Sequence, residues 1–349
     1  MSTSAKLVLY RVARASGLFG LARFLTRRRV RILGYHGFAL HDEAHFRTKL
    51  FITPKTFESR LALLQRRGYK VVSLAQAVAA LQSDRMTDDM VVITIDDGYA
   101  STLSVAAPLL SRYGFPATVY LTTYHMQTQT PVFDLLVAYL IWKATVLSAP
   151  LDWPNNGAPL TLDLGSAAAK NRTAGALMAI GHAMSAETER VELSRAIARA
   201  LAIDHEAVVR SQSFRLLTPS EARQLPGLGV EIGLHTHRHR FPASDLATCQ
   251  RELDDNRAYL MRELGVVPKH FCYPSGVYDP CQWPLLSADG LESGTTCDTG
   301  LVRRGDPRFG LKRVLDGELV SEVEFDAELS GFAELLRQLL RVDRRVSAV

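Results

Sequence analysis

Two adjacent carboxylates end an apolar segment of the chain, and they are its clearest candidates for chemistry. Asp96 and Asp97 follow residues 91–95, which are all apolar or β-branched, and precede Gly98. This pattern predicts a buried strand that ends in a tight turn. Neighbouring side chains of a strand lie on opposite faces, so the two carboxylates cannot share one role. We expect one to hold a metal and the other to accept a proton.

Three histidines within five residues form a second candidate site far along the chain. His235, His237 and His239 follow the strand-like segment 229–234 in a chain with only 10 histidines. The spacing of His235 and His239 can bring two imidazoles to one metal ion. Two imidazole nitrogens and one carboxylate oxygen leave an open coordination position, which is typical of catalytic metals. His237 does not fit this spacing, and we interpret it as an orienting or surface residue.

Each motif also has a plainer interpretation. Asp-Asp-Gly is a common turn sequence. A single histidine after an apolar strand, such as His36, is often a core residue whose hydrogen bonds are satisfied. The four cysteines share no CxxC spacing, so they do not indicate a metal site of their own; they are Cys249, Cys272, Cys281 and Cys297.

The order of the motifs resembles the polysaccharide deacetylase family, whose nodulation-type chitooligosaccharide deacetylases gave the domain its name. An Ile-Asp-Asp-Gly strand end is followed, as in that family, by His-Thr-x-x-His. Further blocks resemble the family in the same order: a Tyr-His strand at 32–36, a helix and strand at 56–74, a strand at 114–121 and a Tyr-Pro-x-Gly loop at 271–276. The resemblance covers residues 30–125 and 210–315.

The resemblance implies a role for each motif residue. Asp97, His235 and His239 correspond to the metal ligands. Asp96 corresponds to the general base, and the backbone N–H of Tyr273 to the donor that stabilises the oxyanion.

The sequence departs from the family pattern in two places. Many members carry an arginine shortly before the Tyr-Pro loop, paired with the base, and a late Leu-x-His strand that supplies the general acid; neither is present in this sequence. Some members take the acid from the Tyr-His strand, so His36 is the candidate acid. Arg313 resembles a late arginine of the same subgroup and is expected to support the site.

Alternating strand and helix signals predict an α/β fold. Strands are expected near 30–35, 69–74, 91–95, 117–122, 229–234, 269–273 and 293–297. Both strong motifs follow the carboxyl ends of strands, where the active sites of barrels form. The resemblance implies a distorted, incomplete (β/α) barrel of about seven strands. We divide the chain into a basic N-terminal helix (1–29), a first barrel part (30–124), a mostly helical insertion or lid (125–210), and a second barrel part with a C-terminal helix (211–349).

The N-terminal segment 1–29 mixes apolar and basic residues. It has no uninterrupted apolar run long enough to cross a bilayer, and Arg11 and Arg14 interrupt the apolar core that a signal peptide needs. We interpret it as a basic amphipathic helix that lies on an anionic membrane surface. An ordinary helix packed on the domain is an equal alternative.

Composition narrows the class of protein. The net charge of +5 comes without an aromatic-interleaved basic stripe, so nucleic acid is not an expected partner. Cysteines without framework spacing are typical of a reducing compartment. We therefore expect a cytoplasmic protein, peripheral on the inner face of the membrane.

The predicted function is that of a metal-dependent deacetylase, which removes an N-acetyl or similar small acyl group from an amino sugar during polysaccharide or glycolipid biosynthesis. The substrate is an N-acylated amino sugar, with lipid-linked forms included. Zinc is the default metal for two histidines and one aspartate, and cobalt, nickel and manganese also fit. The alternatives are a lipid-linked amino-sugar deformylase, a catalytically silent carbohydrate-binding module and a membrane-associated scaffold.

Overall fold

The computed structural model describes residues 3–83, 88–153 and 160–340, and it divides them into short strands and many helices. The strands are β1 (Arg31–Tyr35), β2 (Gly37–Phe38), β3 (Phe51–Ile52), β4 (Lys70–Val71), β5 (Met90–Ile95), β6 (Ala117–Leu121), β7 (Ser148–Leu151), β8 (Leu160–Asp163), β9 (Val230–Leu234), β10 (His270–Cys272), β11 (Ser293–Thr299) and β12 (Leu311–Leu315).

The α-helices alternate with these strands, and two helices stand at each end of the described chain. They are α1 (Thr3–Ala15), α2 (Leu18–Thr26), α3 (Glu43–Phe46), α4 (Pro54–Arg66), α5 (Leu74–Gln82), α6 (Ala107–Tyr113), α7 (Tyr124–Thr128), α8 (Phe133–Lys143), α9 (Ala167–His182), α10 (Glu187–Ala200), α11 (His205–Arg210), α12 (Pro219–Ala222), α13 (Leu246–Leu264), α14 (Trp283–Ala288), α15 (Glu322–Leu329) and α16 (Phe332–Leu339). A π-helical turn, Thr102–Ala106, precedes α6, and three-residue 3₁₀ turns span Pro226–Leu228, Pro274–Gly276 and Pro280–Gln282.

Seven parallel strands form a closed ring, which confirms the predicted (β/α) barrel. The order is β1-β12-β11-β10-β9-β6-β5, and β1 pairs with β5 to close it. The ring therefore has no open edge where an incomplete barrel would have one. It is distorted, because β10 pairs with β9 through a single residue pair and the register shifts between β11 and β12.

Two strands differ from the sequence-based expectation. The segment 69–74 gives only β4, which pairs with the start of β5 outside the ring, because Ser73 already caps α5. The seventh ring strand is instead β12, which the sequence did not predict. Its central residue, Arg313, is a buried arginine at a position where a strand pattern calls for an apolar side chain.

The insertion between β6 and β9 is mostly helical, as predicted. It contains α7 to α11 and the antiparallel β7–β8 hairpin. Helix α8 packs against the segment between β2 and β3, which follows β1. The Tyr139 hydroxyl donates to Asp42, and Phe46 packs on Tyr139 and Trp142. These contacts fix the insertion to a segment that leaves the carboxyl end of β1. The domain boundaries and the lid role stay predictions.

The N-terminal segment forms two helices rather than one. The chain breaks between α1 and α2 at Gly17, whose φ of 81° lies in the left-handed region. Tyr10, Ala13 and Phe19 are buried against α15 and α16. Among the helices of the described ranges, none combines the length and hydropathy needed to cross a bilayer.

Candidate active site

The predicted site residues converge at one end of the barrel. His36 follows β1, Asp96 and Asp97 follow β5, and His235 follows β9. Because all ring strands are parallel, their carboxyl ends meet at the same rim. Side chains that are up to 200 residues apart in the chain are therefore neighbours in space.

Asp97 lies beside two histidines. Its Oδ1 is 3.3 Å from His235 Nε2 and 3.5 Å from His239 Nε2. One possible ligand atom of each residue lies within 4.8 Å of the other two, which is close enough for one metal ion. Asp97 has a φ of 67°, and Gly98 follows at 83°. This left-handed turn is uncommon for a residue with a side chain and is typical of functional sites.

A hydrogen bond to the backbone prepares His235 for coordination. Its Nδ1 lies 2.8 Å from the carbonyl oxygen of Cys272. Because a carbonyl can only accept, Nδ1 carries a proton and donates, and the neutral ring then has its lone pair on Nε2. That nitrogen is the one beside Asp97. The donor set of two imidazoles and one carboxylate thus fits a divalent cation.

The charges around this group also suit a cation. Although the His239 side chain is 41% exposed, partial desolvation and the charge of His235 lower its pKa to about 4, so its ring is neutral near pH 7. Burial opposes protonation of His235, yet negative charge at the neighbouring Cys272 sulfur and on the Asp97 carboxylate raises its pKa overall. Burial would raise the pKa of Asp97, but its contacts with the histidines lower it overall. In the absence of a metal, a proton on His235 compensates the carboxylate, and a metal ion can replace that proton.

Asp96 lies in different surroundings. Both of its oxygens accept from Arg313: Oδ1 from Nη1 and Oδ2 from Nη2, each at 2.7 Å. Arg313 also donates to Thr94 Oγ1 and to the Thr296 carbonyl, and it is fully buried. Burial would raise the pKa of Asp96, but the charge and hydrogen bonds of Arg313 lower it overall. Asp96 is therefore held as a carboxylate whose charge is already balanced.

This pairing also weighs against a second possible metal group. Asp96, His235 and Cys272 each offer a ligand atom within 4.8 Å of the others. Arg313 Nη2, however, lies 3.2 Å from Cys272 Sγ as well as binding Asp96. A cation placed among these atoms would lie next to a buried guanidinium, so Asp97 with the two histidines is the better candidate metal site.

His36 lies next to Asp96, the candidate proton acceptor. Its Nε2 is 3.5 Å from Asp96 Oδ2, and its side chain is 20% exposed. Its Nδ1 is buried without a hydrogen-bond partner among the described residues. The interpretation of His36 as a core residue with satisfied hydrogen bonds is therefore not supported by the structure.

The backbone N–H of Tyr273 is already engaged. It donates to the Thr295 carbonyl at 3.2 Å, as a continuation of the β10–β11 ladder. The Tyr273 hydroxyl donates to the Phe309 carbonyl, and the ring is buried. A substrate oxygen could use this N–H only by sharing it with Thr295 or by displacing that long bond.

Two buried residues of α13, which sequence reasoning missed, hold the histidine loop. Asn256 Oδ1 accepts from the His235 N–H, while its Nδ2 donates to the carbonyl of Leu121. Glu252 accepts from the Arg238 N–H at 2.6 Å. Both lie on the buried face of α13, four residues apart. Polar residues at core positions of an amphipathic helix were the available signal.

His237 does not take part in the metal group. Its Nδ1 lies 2.8 Å from Thr123 Oγ1, and its ring packs on Tyr124. The backbone carbonyl of His237 accepts from the Tyr124 N–H. His237 thus ties the histidine loop to the segment that follows β6.

Solved structures that share this fold include deacetylases. The Streptococcus pyogenes deacetylase PplD, in complex with acetate, aligns with 87% of this chain and 99% of its own, with a TM-score of 0.57 at 17% identity. IcaB from Ammonifex degensii aligns with 86% and 97%, with a TM-score of 0.54 at 16% identity. A de-N-acetylase from Aggregatibacter actinomycetemcomitans aligns with 86% and 99%, with a TM-score of 0.53 at 16% identity. At these identities the likeness concerns the fold.

Sequence comparisons extend the likeness to the family. A Bacillus subtilis (strain 168) protein named as a polysaccharide deacetylase, YxkH, is 31% identical over 91 residues, which span 26% of this chain and 30% of YxkH. The family model described as polysaccharide deacetylase matches residues 83–148 and 161–293. That is more than half of the chain, and it includes both strong motifs. The chain therefore belongs to the polysaccharide deacetylase family.

Proposed function

We propose that this protein is a metal-dependent deacetylase that hydrolyses the N-acetyl group, or a similar small acyl group, of an amino sugar. One observation carries the proposal: the two neighbouring carboxylates are divided between two partners. Asp97 lies with two histidines that suit a cation, whereas Asp96 is paired in bidentate fashion with Arg313. Metal-assisted amide hydrolysis uses this combination, in which one group binds a cation and another accepts a proton.

Asp97, His235 and His239 are the proposed ligands of the metal, with zinc as the first choice and cobalt, nickel or manganese also suited to these ligands. A divalent ion held there would lower the pKa of a water molecule and polarise the acyl carbonyl. Asp96 accepts the proton of the attacking water. Arg313 keeps Asp96 ionised and fixes the orientation of its carboxylate, so the acceptor stays in place as the site changes charge.

His36 is the proposed general acid. The water oxygen bonds to the acyl carbon, the carbon–nitrogen bond breaks, and the amine nitrogen takes a proton from His36 as it leaves. The 3.5 Å separation of His36 Nε2 and Asp96 Oδ2 allows the two groups to exchange a proton directly or through one water, which restores the starting state. Sharing of the Tyr273 N–H with the substrate oxygen would stabilise the oxyanion.

The proposed substrate is an N-acylated amino sugar of a polysaccharide or a lipid-linked intermediate in its biosynthesis. The insertion 125–210 would act as a lid that selects the glycan, since loops at this rim commonly set substrate choice. We propose a cytoplasmic enzyme that contacts the inner face of the membrane through residues 1–29. Net charge and cysteine spacing support this location.

Turnover after metal reconstitution, with mass detection of the released acid, tests the proposal. The metal-free protein is loaded with zinc or cobalt and offered soluble N-acetylated glucosamine oligomers. We expect acetate and one free amine per event. Release of formate from an N-formylated analogue, with acetyl substrates untouched, would make the protein a deformylase. Full metal binding without turnover on either substrate would favour a silent carbohydrate-binding module.

A further inference from the structure

The outer face of the N-terminal helix pair carries a set of large exposed apolar side chains. Each is between 44 and 60% exposed. We call them the outer apolar face: Val8, Val12, Leu18, Leu21, Phe24 and Leu25. Several large exposed apolar side chains on one pair of short helices are typical of an interaction site.

The helix pair is firmly attached to the barrel, so this exposure does not come from a loose terminus. The fully buried Arg31, at the start of β1, donates to the carbonyls of Leu329 and Thr26 and to the Thr26 hydroxyl. On α1, Lys6 pairs with Glu324. The side of the helix pair that faces the protein is thus held by hydrogen bonds and an ion pair, while the outer apolar face is exposed to solvent.

Basic residues continue the same face. On α1, Val8, Arg11 and Val12 share one side at helical spacing. Arg28 lies just beyond the end of α2, with its Nε 4.0 Å from Asp88 Oδ1. The Arg28 side chain is 76% exposed. Residues 1–41 contain eight lysines and arginines and no acidic residue, and acidic side chains from later in the chain pair with several of them, including Lys6 and Arg14. Apolar side chains flanked by cations are complementary to the anionic headgroups and the acyl boundary of a bilayer.

We propose that the outer apolar face docks this enzyme on an anionic bilayer surface, with the catalytic rim turned away from it. A second copy of the chain is a poorer occupant, because a two-fold contact would set identical cationic faces against each other. Helices α1 and α2 have 13 and 9 residues, so they lie in the interface rather than cross it.

The position of α2 limits what the docked enzyme can reach. The helix leads into the amino end of β1, and the Asp89 N–H, just before β5, donates to the carbonyl of Arg27. His36 lies at the other end of β1, so the reacting carbonyl is on the order of 20 Å from the amino ends of the strands. If the proposed function holds, a docked enzyme of this geometry acts on a glycan chain that extends away from the bilayer surface. A sugar held within the headgroup layer would not reach the rim.

Vesicle flotation with paired variants tests the docking. The full-length protein is mixed with vesicles of phosphatidylcholine alone or with about 30% phosphatidylglycerol. L21E with L25E places two charges on the outer apolar face, and V146E with L147E places two on exposed apolar residues of the insertion. We expect binding to anionic vesicles only, weakened about tenfold or more by the first pair and unchanged by the second. Equal vesicle binding by the two double variants would overturn the docking proposal. Dimers that depend on the outer apolar face, without vesicle binding, would also overturn it.

A spacer series tests the orientation. An N-acetylated sugar is attached to a vesicle lipid either directly or through a polyethylene glycol spacer longer than about 20 Å. We expect the long spacer to be turned over and the direct conjugate to be turned over at least about tenfold more slowly. Equal rates would overturn the orientation. The same sugar free in solution is the control, because failure there would refute the proposed function itself.

Discussion

The two halves of the candidate site differ in how their charges are balanced. On one side, the Asp97 carboxylate lies 3.3 and 3.5 Å from two imidazoles, and its backbone lies in the left-handed region. On the other, Asp96 is fixed by two 2.7 Å hydrogen bonds from the buried Arg313. Among the described residues, no lysine or arginine pairs with the Asp97 carboxylate, whereas Asp96 is already paired with one. Adjacent residues of identical chemistry thus receive different roles from the strands that surround them.

The difference shows what a metal site and a proton acceptor each require. A ligand carboxylate must be ionised and must not be paired with a permanent cation, so that binding a metal ion breaks no salt bridge. A proton acceptor must be ionised, and it must be held in position, before the proton is transferred to it. If this comparison is correct, variants on the two sides will fail in different ways.

The largest effect is expected at His235. Replacement by alanine removes the buried ligand and should abolish metal binding and turnover, with a loss beyond the 10–100-fold typical of outer partners. His239→Ala should lose less, because its ring is 41% exposed and water can take its place. Elemental analysis after dialysis measures both. His237→Ala is the matched control and should keep its metal; equal metal loss in all three would remove the basis of the assignment.

His36→Gln is expected to lower kcat by about 10²–10⁴-fold, the usual contribution of general acid–base catalysis. Glutamine keeps a hydrogen-bonding group but cannot deliver a proton. The metal content should not change, and one limb of the pH–rate profile should flatten. His41→Gln, at an exposed histidine of the same loop, serves as control. An unchanged pH profile with full activity would exclude His36 as the acid.

Arg313→Gln should reverse the pH dependence that Asp96 contributes. In the native protein the lowered pKa of Asp96 stabilises the fold above its unfolded pKa, and this is lost as pH falls. Without the guanidinium, burial raises that pKa, so the stabilisation is lost as pH rises. We expect a loss of about 3–5 kcal/mol near neutral pH, smaller near pH 5.

Two measurements check this. Urea unfolding at two pH values gives the sign, and the acid limb of kcat/KM should move to higher pH. Arg313→Lys keeps the charge and should restore part of both. A uniform destabilisation at all pH values, with an unmoved acid limb, would mean that Arg313 acts through packing alone.

A smaller effect is expected from Asn256→Ala, which leaves the His235 N–H and the Leu121 carbonyl without their partner. Metal affinity should fall by about 10–100-fold, and the free energy of unfolding by about 1–3 kcal/mol. Asp254→Ala, on the exposed face of α13, is the control. Metal affinity equal to that of the control would show that the loop holds His235 without Asn256.

Sequence reasoning predicted the local parts of this molecule better than its long-range pairs. The barrel class and the site motifs can be predicted from short continuous segments, such as the strand before Asp96, because each segment contains the whole pattern that identifies it. The strand β12 was missed because Arg313 interrupts its apolar pattern, and that interruption makes sense only once Asp96 is known to lie beside it. Asn256 was missed for the same reason: its partners are backbone groups of other elements.

The N-terminal segment shows the same limit. Its composition predicted an amphipathic helix, but the break at Gly17 and the burial of Tyr10 depend on α15 and α16. A pattern of apolar and basic residues identifies two faces. Only the tertiary structure separates the face that packs on the protein from the face left exposed.

The metal content and activity of Asp96→Asn and Asp97→Asn, measured side by side, test the central claim most directly. Both changes keep the shape of the side chain and remove its charge. We predict that Asp96→Asn keeps a full complement of metal and loses activity by about 10²–10⁴-fold or more, whereas Asp97→Asn loses metal and recovers some activity in excess zinc. The reverse pattern, with metal lost from Asp96→Asn and retained by Asp97→Asn, would contradict the division of roles.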